Sequence, residues 1–263
     1  MKILIIGNGF DLNLGLKTSY KDFIESSQFQ NLVDSENSMA LYFNEKNEIN
    51  NWVDIEREIT AFSTNITNEG FNLKEDFNSI KNALMEYLEE AQNKEIDENS
   101  KAFEIIKELD TVDYIFNFNY TNSILRIANI LNIQFLEDKH CYIHGSLKEQ
   151  NIIFGVEDDA RVQSNHIFFK KAYNKNHGIY NVKSTLVREN EIIIFGHSLG
   201  VTDSSYFKSY INDRSTFDDY VNLKFYYYGE SGWDEMMKII DDYTYNNITK
   251  FRANNFFPVD SSK

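Results

Sequence analysis

Two glycines in the segment Gly7-Asn8-Gly9-Phe10-Asp11 are the residues of this 263-residue chain best suited to phosphate chemistry. Glycine lets the backbone turn sharply, and its amide can approach an anion closely because no Cβ stands in the way. The apolar run before the segment, residues 2–6, is typical of a buried strand, and a helix is expected to follow. We therefore predict a nucleotide-binding loop. The next glycine is Gly15, whereas the dinucleotide fingerprint needs one at position 12, so ordinary dehydrogenase chemistry is disfavoured.

Two asparagines end the second clear apolar run, in Asn117-Phe118-Asn119-Tyr120-Thr121. Open α/β sheets place ligand contacts beyond the carboxyl ends of their strands. An amide at such an edge can both donate to a ribose hydroxyl and accept from it. We predict a ligand contact for Asn119 and consider one for Asn117. The alternative is that these residues cap the next helix, since Asn and Thr both favour that position.

Histidine supplies a candidate general base in His140-Cys141-Tyr142-Ile143-His144-Gly145. His144 closes a short apolar run and precedes a glycine, which would leave its imidazole at a strand edge. Near neutral pH it could accept a proton, although a structural histidine is the alternative. A metal site would use His140, Cys141 and His144, but no carboxylate or fourth ligand has suitable spacing, so we expect no metal.

A possible nucleophile lies in Gly196-His197-Ser198-Leu199-Gly200, which matches the Gly-x-Ser-x-Gly elbow of α/β hydrolases. In that fold the catalytic histidine follows the serine along the chain. His197 is the last histidine of this chain, so the usual order cannot be met, and a hydrolase using Ser198 is kept as a minor alternative. Two weaker signals, residues 52–56 and 151–157, each end in a glutamate, and for both we favour a structural role.

Apolar runs rich in β-branched and aromatic residues predict the strands that would position these motifs. They lie at residues 2–6, 112–118, 191–195 and 222–228, with shorter candidates at 134–136 and 142–143. Apolar residues three and four apart predict helices at 53–64, 73–91, 101–109, 121–131, 204–211 and 231–243. This alternation favours a Rossmann-like, doubly wound parallel sheet. Residues 19–109 are far more than a crossover needs, so we expect a single α/β domain, 1–263, with a helical insertion at about 19–109.

Composition excludes several classes of partner. The chain has a net charge of −15 and a pI near 4.8 and lacks a dense cluster of Lys and Arg, so nucleic acid is disfavoured. One cysteine excludes an internal disulfide. No run approaches the roughly 20 apolar residues of a membrane span, and the first apolar run is too short for a signal peptide. We expect a cytoplasmic protein that binds neither membrane nor nucleic acid.

Four motifs in a fixed order resemble the AbiH-type abortive-infection proteins, which are bacterial phage-defence factors. These are Gly-Asn-Gly-Phe-Asp, Asn-Tyr-Thr, His-Gly and Phe-Gly-His-Ser-Leu-Gly-x-x-Asp, the last ending at Asp203. The resemblance runs from Lys2 to about Phe207. It implies anti-phage defence with a phage or host protein as trigger, and it leaves homo-oligomerisation open.

The same order of motifs is similar to the sirtuin fold, whose glycine loop grips NAD. This resemblance implies that Asn119 and Thr121 hold the nicotinamide ribose, that His144 is the general base and that Ser198 meets the adenosine ribose. The four zinc cysteines of deacylating sirtuins are absent, which argues against a lysine deacylase. The residues then expected to contact NAD are Gly7, Asn8, Gly9, Phe10, Asp11, Gly15, Asn117, Thr121, Gly196, His197, Ser198, Leu199 and Asp203.

The sequence therefore favours an effector that binds NAD and cleaves its nicotinamide–ribose bond, with His144 and Asn119 as catalytic residues. The main alternative is a nucleotide-sensing module without catalysis, whose helical insertion binds a phage or host protein. Release of nicotinamide from NAD would separate the two.

Overall fold

The computed structural model describes residues 2–50, 55–66, 72–108, 111–134, 137–177, 182–188, 191–200, 203–216 and 221–262. The chain divides into two compact units. The first unit contains Met1–Leu16, Glu95–Ile143 and Ile179–Lys263. The second unit contains Lys17–Lys94 and His144–Gly178.

A six-stranded, all-parallel sheet forms the centre of the first unit, in the order β3-β2-β1-β4-β5-β6. The strands are β1 Lys2–Ile6, β2 Tyr114–Asn117, β3 His140–Tyr142, β4 Glu191–Phe195, β5 Asn222–Tyr227 and β6 Phe256–Asp260. This is the strand order of doubly wound dinucleotide-binding sheets.

Helices connect the strands of the first unit and make up most of the second. In chain order they are α1 Asn8–Asn13, α2 Tyr20–Ile24, α3 Ser27–Asp34, α4 Ser38–Asn50, α5 Ile55–Asn65, α6 Leu73–Gln92, α7 Lys101–Ile106, α8 Ser123–Ile130, α9 Val182–Val187, α10 Ser204–Thr216, α11 Gly229–Thr244 and α12 Ile248–Asn255. Serine caps begin α2, α3 and α7, where the hydroxyl accepts a hydrogen bond from an amide of the first turn. No helix among the described residues is long and apolar enough to cross a membrane.

The sheet is buried on both faces. On β1, Ile3 and Ile5 join a cluster with Phe207 and Ile240 of α10 and α11. Leu4 and Ile6 point the other way, into a second cluster with apolar residues of α7 and α8. Successive strand residues face opposite sides, so a strand with helices on both faces must be apolar throughout. The predicted α/β fold with a parallel sheet is confirmed, whereas its likeness to sirtuins remains a prediction.

Strand boundaries follow the predictions closely where the strand is central. The predicted 2–6 and 191–195 are observed without change, while 112–118 shortens to β2 and 222–228 loses one residue. The prediction at 142–143 was misplaced, since β3 begins at His140, and the one at 134–136 was wrong at Gln134, which lies in no strand. Residues 135–136 lie outside the described residues.

The sixth strand was missed because it contains the chain's one proline. Pro258 pairs in register with Phe225 of β5. Proline cannot donate to a strand ladder, so it argues against a central strand, but an edge strand tolerates it.

The second unit contains α2 to α6, with α6 packed against α3 and α4. α7 belongs to the first unit and residues 144–178 to the second, and the insertion predicted at about 19–109 remains a prediction. The single domain 1–263 remains a prediction. Predicted helix 53–64 begins in residues outside the described part, and α5 is observed from Ile55.

The two weaker glutamate signals meet inside the second unit. Lys171, with a side chain only 3% exposed, lies 3.2 Å from Glu56 and 2.9 Å from Glu157. The ammonium joins α5, which carries Glu56, to a distant segment of the chain that carries both Glu157 and Lys171. The structural role expected for these glutamates agrees with this ion-paired cluster.

Candidate functional site

The carboxyl ends of β1 and β4 form the point where the strand order reverses. From this point the chain runs outward to β2 and β3 on one side and to β5 and β6 on the other. Doubly wound sheets bind ligands in the crevice at such a point. The loops after β1, β2 and β4, which carry most of the predicted site residues, converge here within the first unit.

The glycines of these loops let two backbones touch. Gly7 donates its N–H to Phe195 O at 3.1 Å, and Gly9 donates to Gly196 O at 2.8 Å. A Cβ on Gly9 would lie 2.7 Å from Gly196 Cα, and one on Gly196, whose φ is +65°, would lie 2.1 Å from Phe10 N. Loop packing alone therefore requires glycine at these positions. Because the N–H groups of Gly7 and Gly9 are used inside the protein, the predicted phosphate contact would have to use other groups of the loop.

The rest of the β1 loop divides into buried and exposed residues. Phe10 is fully buried, with its ring edge on Phe195 at 5.5 Å between centroids, so it packs in the core. Asn8, the first residue of α1, is exposed. Gly15 has a φ of +82°, and a Cβ there would meet no atom within 4 Å. The positive φ explains why position 15 is a glycine.

Asn119 links the loop after β2 to the loop after β1. Its Nδ2 donates to Gly7 O at 3.0 Å, and its backbone N–H donates to Asn117 Oδ1 at 2.8 Å. Asn117 is 1% exposed, and its Nδ2 lies 3.0 Å from His140 Nε2. In both of these hydrogen bonds Asn119 is the donor, through its backbone N–H or its side-chain Nδ2. Its Oδ1 is therefore the atom that could accept a hydrogen bond from a ligand hydroxyl.

Asp11 is a buried carboxylate beside this loop. It is 1% exposed, and Ser123 Oγ and Thr121 Oγ1 each donate to it at 2.6 Å. Burial raises the pKa of Asp11 to about 6, although the two hydroxyls, a hydrogen bond from the side-chain amide of Asn119 and the charge of Arg126 act in the opposite direction. The carboxylate thus joins α1 to the start of α8. The predicted contacts of Asp11 and Thr121 with a ribose remain predictions.

His197 is held in the core by both ring nitrogens. Its Nδ1 accepts the N–H of Leu199 at 2.9 Å, and its Nε2 lies 3.3 Å from Asp203 Oδ2. The ring packs against Phe118 at 4.2 Å and Phe207 at 5.1 Å between centroids. Because Nδ1 accepts, Nε2 carries the proton of the neutral ring and donates to Asp203. These contacts give His197, Leu199 and Asp203 a structural role. The contact of these three residues with a nucleotide remains a prediction.

Ser198 is the exposed residue of this loop and does not have the geometry of a hydrolase nucleophile. Its Oγ accepts the N–H of Gly200 at 3.2 Å. In this loop the residues with positive φ are Gly196 and Leu199, on either side of the serine. A nucleophile elbow instead strains the serine itself, between a strand and a helix. The next helix begins only at Ser204. With both nitrogens of His197 engaged elsewhere, that histidine cannot activate Ser198.

His144 begins the second of the two segments that form the second unit, and it is 7% exposed. Its carbonyl oxygen accepts the N–H of Ile153 at 2.7 Å. Gly145 has a φ of +74°, and a Cβ there would lie 2.4 Å from Asn151 O. The His-Gly pair thus closes a tight turn, which explains its glycine. The catalytic role of His144 remains a prediction.

A cleft of about 150 Å³ opens beside Ser198 within the first unit. It is lined by Gly9, residues 195–198 after β4, residues 225–228 at the end of β5, Ser261, and Gly232, Glu235 and Met236 of α11. The tyrosines at 226–228 and Glu235 were not predicted as site residues. The signal was the tyrosine run followed at once by Gly229, which places aromatic rings at the carboxyl end of a strand.

Three of the predicted loops thus meet at one edge of the sheet, in an arrangement fixed by glycine contacts and by Asn119. Among the described residues, no group of three His, Cys, Asp or Glu side chains could hold a metal ion.

Comparison with known proteins agrees with the order of motifs. No curated protein and no solved structure matches the chain. The model of the family described as bacteriophage abortive infection AbiH matches residues 3–227, which is most of the chain and includes every site residue predicted from the sequence. The chain therefore belongs to the AbiH family of bacteriophage abortive infection proteins.

Proposed function

We propose that this abortive-infection protein binds NAD along the carboxyl edge of its sheet and cleaves the nicotinamide–ribose bond. The observation that carries the proposal is the convergence of the loops after β1, β2 and β4 at the reversal point of the strand order. This crevice is where doubly wound sheets bind nucleotides. An exposed Asn8 and an exposed Ser198 stand on the two loops that flank it.

The proposed reaction asks little of the protein. Nicotinamide leaves with the electrons of the C–N bond, water adds to the ribose carbon, and one proton is lost to solvent. Asn119 Oδ1 would accept a hydrogen bond from a ribose hydroxyl and so hold the sugar in place. A general base, which is the role predicted from the sequence for His144, accepts the proton from water, an effect typically worth about 10² to 10⁴ in rate.

The pyrophosphate would lie between Asn8 and Ser198. The N–H groups of Gly7 and Gly9 donate within the protein, so in this proposal the glycines act by bringing the loops together. The side chains of Asn8 and Ser198 supply the hydrogen bonds.

The test is incubation of the purified protein with NAD, with chromatography for free nicotinamide. We expect Asn119→Ala and His144→Ala each to abolish release. Asn129→Ala, an exposed asparagine on α8, and His177→Ala, in the second unit, are controls matched in residue type and should retain it.

The outcomes separate the alternatives. Full activity in either Asn119→Ala or His144→Ala contradicts that residue's catalytic role. Tight NAD binding without nicotinamide release would favour the nucleotide-sensing module. Since Asn119→Ala removes one of the two hydrogen bonds to Gly7 O, which keeps the N–H of Phe10, a loss of about 0.5–1.5 kcal/mol in stability is expected, and circular dichroism must show that the variant is folded.

A further inference from the structure

The cleft beside Ser198 combines aromatic walls with one carboxylate at its rim. Tyr226 stacks on Phe195 at 4.7 Å and 19° between ring planes, and Tyr228 is 68% exposed. Glu235 of α11 is exposed. Gly232, one turn earlier, has no side chain to fill the space. A volume of about 150 Å³ is comparable to cavities that accept one aromatic ring.

We infer that this cleft binds the adenosine half of NAD, with the base against the tyrosines and the ribose hydroxyls on Glu235. The inference rests on the proposed function. Every base has a face that can stack on an aromatic side chain. An ionised carboxylate is an acceptor only, so it pairs with the two O–H groups of a ribose and repels a phosphate.

The position of the cleft agrees with the length of a dinucleotide. Asn119 follows β2, whereas the cleft follows β4 and β5, with β1 in between. At about 4.8 Å per strand, β2 and β5 are about 14 Å apart. A nicotinamide ribose on Asn119 would therefore direct the pyrophosphate across the loop after β1 and the second nucleoside into the cleft.

The negative charges in the first half of α11 disfavour a ligand with a phosphate on its adenosine ribose. Glu230 and Asp234 are exposed on the same helix as Glu235. The first amide of the helix, Gly229 N–H, donates to Asp260 Oδ1 at 3.3 Å. A 2′-phosphate on the adenosine would face Glu235 in this acidic surrounding. The ligands of the cleft are therefore dinucleotides with a free 2′-hydroxyl, so NAD binds and NADP is rejected.

Titration calorimetry with NAD and NADP tests this inference. We expect the native protein to bind NAD at least about tenfold more tightly than NADP, because hydrogen bonds to charged groups contribute about one decade or more. Glu235→Lys should lower that ratio at least tenfold, and Glu235→Gln should lower it less. Asp234→Lys is the matched control, with the same charge reversal on a neighbouring residue that does not line the cleft, and it should lower the ratio much less than Glu235→Lys. Tyr228→Ala should weaken both ligands about equally.

The results distinguish this inference from the proposed function. If NAD binds but Glu235→Lys and Asp234→Lys have the same NAD to NADP ratio, the cleft assignment is overturned and the proposed function is unaffected. A native preference for NADP overturns it too. If neither nucleotide binds the folded native protein, the proposed function fails and this inference fails with it.

Discussion

Replacing Asp11 by asparagine should remove a pH dependence that the buried carboxylate imposes on stability. Burial raises the pKa of Asp11 from 3.8 to about 6. Between these values the folded protein keeps a proton that the unfolded chain has lost. Stability therefore falls as pH rises from about 4 through about 6 and is constant above that, because the folded state binds more protons in this window.

The size of the effect follows from the same two values. They differ by about two pH units, and at 1.36 kcal/mol per unit the total is about 3 kcal/mol, of which about 2 kcal/mol is lost between pH 4.5 and 7.5. The chain's net charge of −15 also varies with pH, so the useful quantity is the difference between native and Asp11→Asn proteins. Urea unfolding at several pH values measures it, with exposed Asp234→Asn as control.

A specific result would refute this reasoning. The hydroxyls of Ser123 and Thr121, the side-chain amide of Asn119 and the charge of Arg126 stabilise the ionised form. If they outweighed burial, the native protein would gain stability over Asp11→Asn as pH rises, instead of losing about 2 kcal/mol. A difference independent of pH would show that the carboxylate has an ordinary pKa.

Three further predictions have defined outcomes. Gly9→Ala should cost more than about 2 kcal/mol in thermal unfolding because its Cβ meets backbone, whereas Gly15→Ala, with open space around it, should cost about 1 kcal/mol from its positive φ; equal losses would contradict the loop-packing explanation. Ser198→Ala should weaken NAD binding two- to tenfold with unchanged folding, and a fluorophosphonate should not label the native protein, because His197 is engaged elsewhere; labelling would restore the hydrolase alternative. Lys171→Met should lower the free energy of unfolding by about 3–5 kcal/mol, because it leaves the carboxylates of Glu56 and Glu157 facing each other. Replacing both glutamates by glutamine in the Lys171→Met protein should recover much of this stability; no recovery would show that packing, and not charge, holds this cluster.

The central strands could be predicted because their burial determines their amino-acid composition. A strand covered on both faces needs an apolar run, and β1 and β4 are such runs. The edges carry weaker signals. β6 contains Pro258 and is paired on one side only, and β3 is half-buried, so neither has an uninterrupted apolar pattern.

The candidate site was predicted less completely than the sheet. Motif position after strands was enough to bring Asn119, the first glycine loop and Ser198 to one edge, because the carboxyl ends of parallel strands share that edge. The hydrogen-bond partners of each side chain could not be predicted from the sequence. Nothing in the spacing indicates that His197 turns into the core or that two hydroxyls satisfy Asp11.

The glycine loop shows why one motif can support two explanations. A phosphate loop and a tight contact between backbones both use the absence of a Cβ, so the sequence cannot separate them. The structure places Gly196 where the Cβ of Gly9 would stand and uses the Gly9 amide in that contact. A Gly9 variant that loses nucleotide binding would therefore report on loop packing. Contact with the nucleotide is tested instead at Asn8 and Ser198, the exposed residues of the two loops, whose substitution by alanine leaves that packing intact.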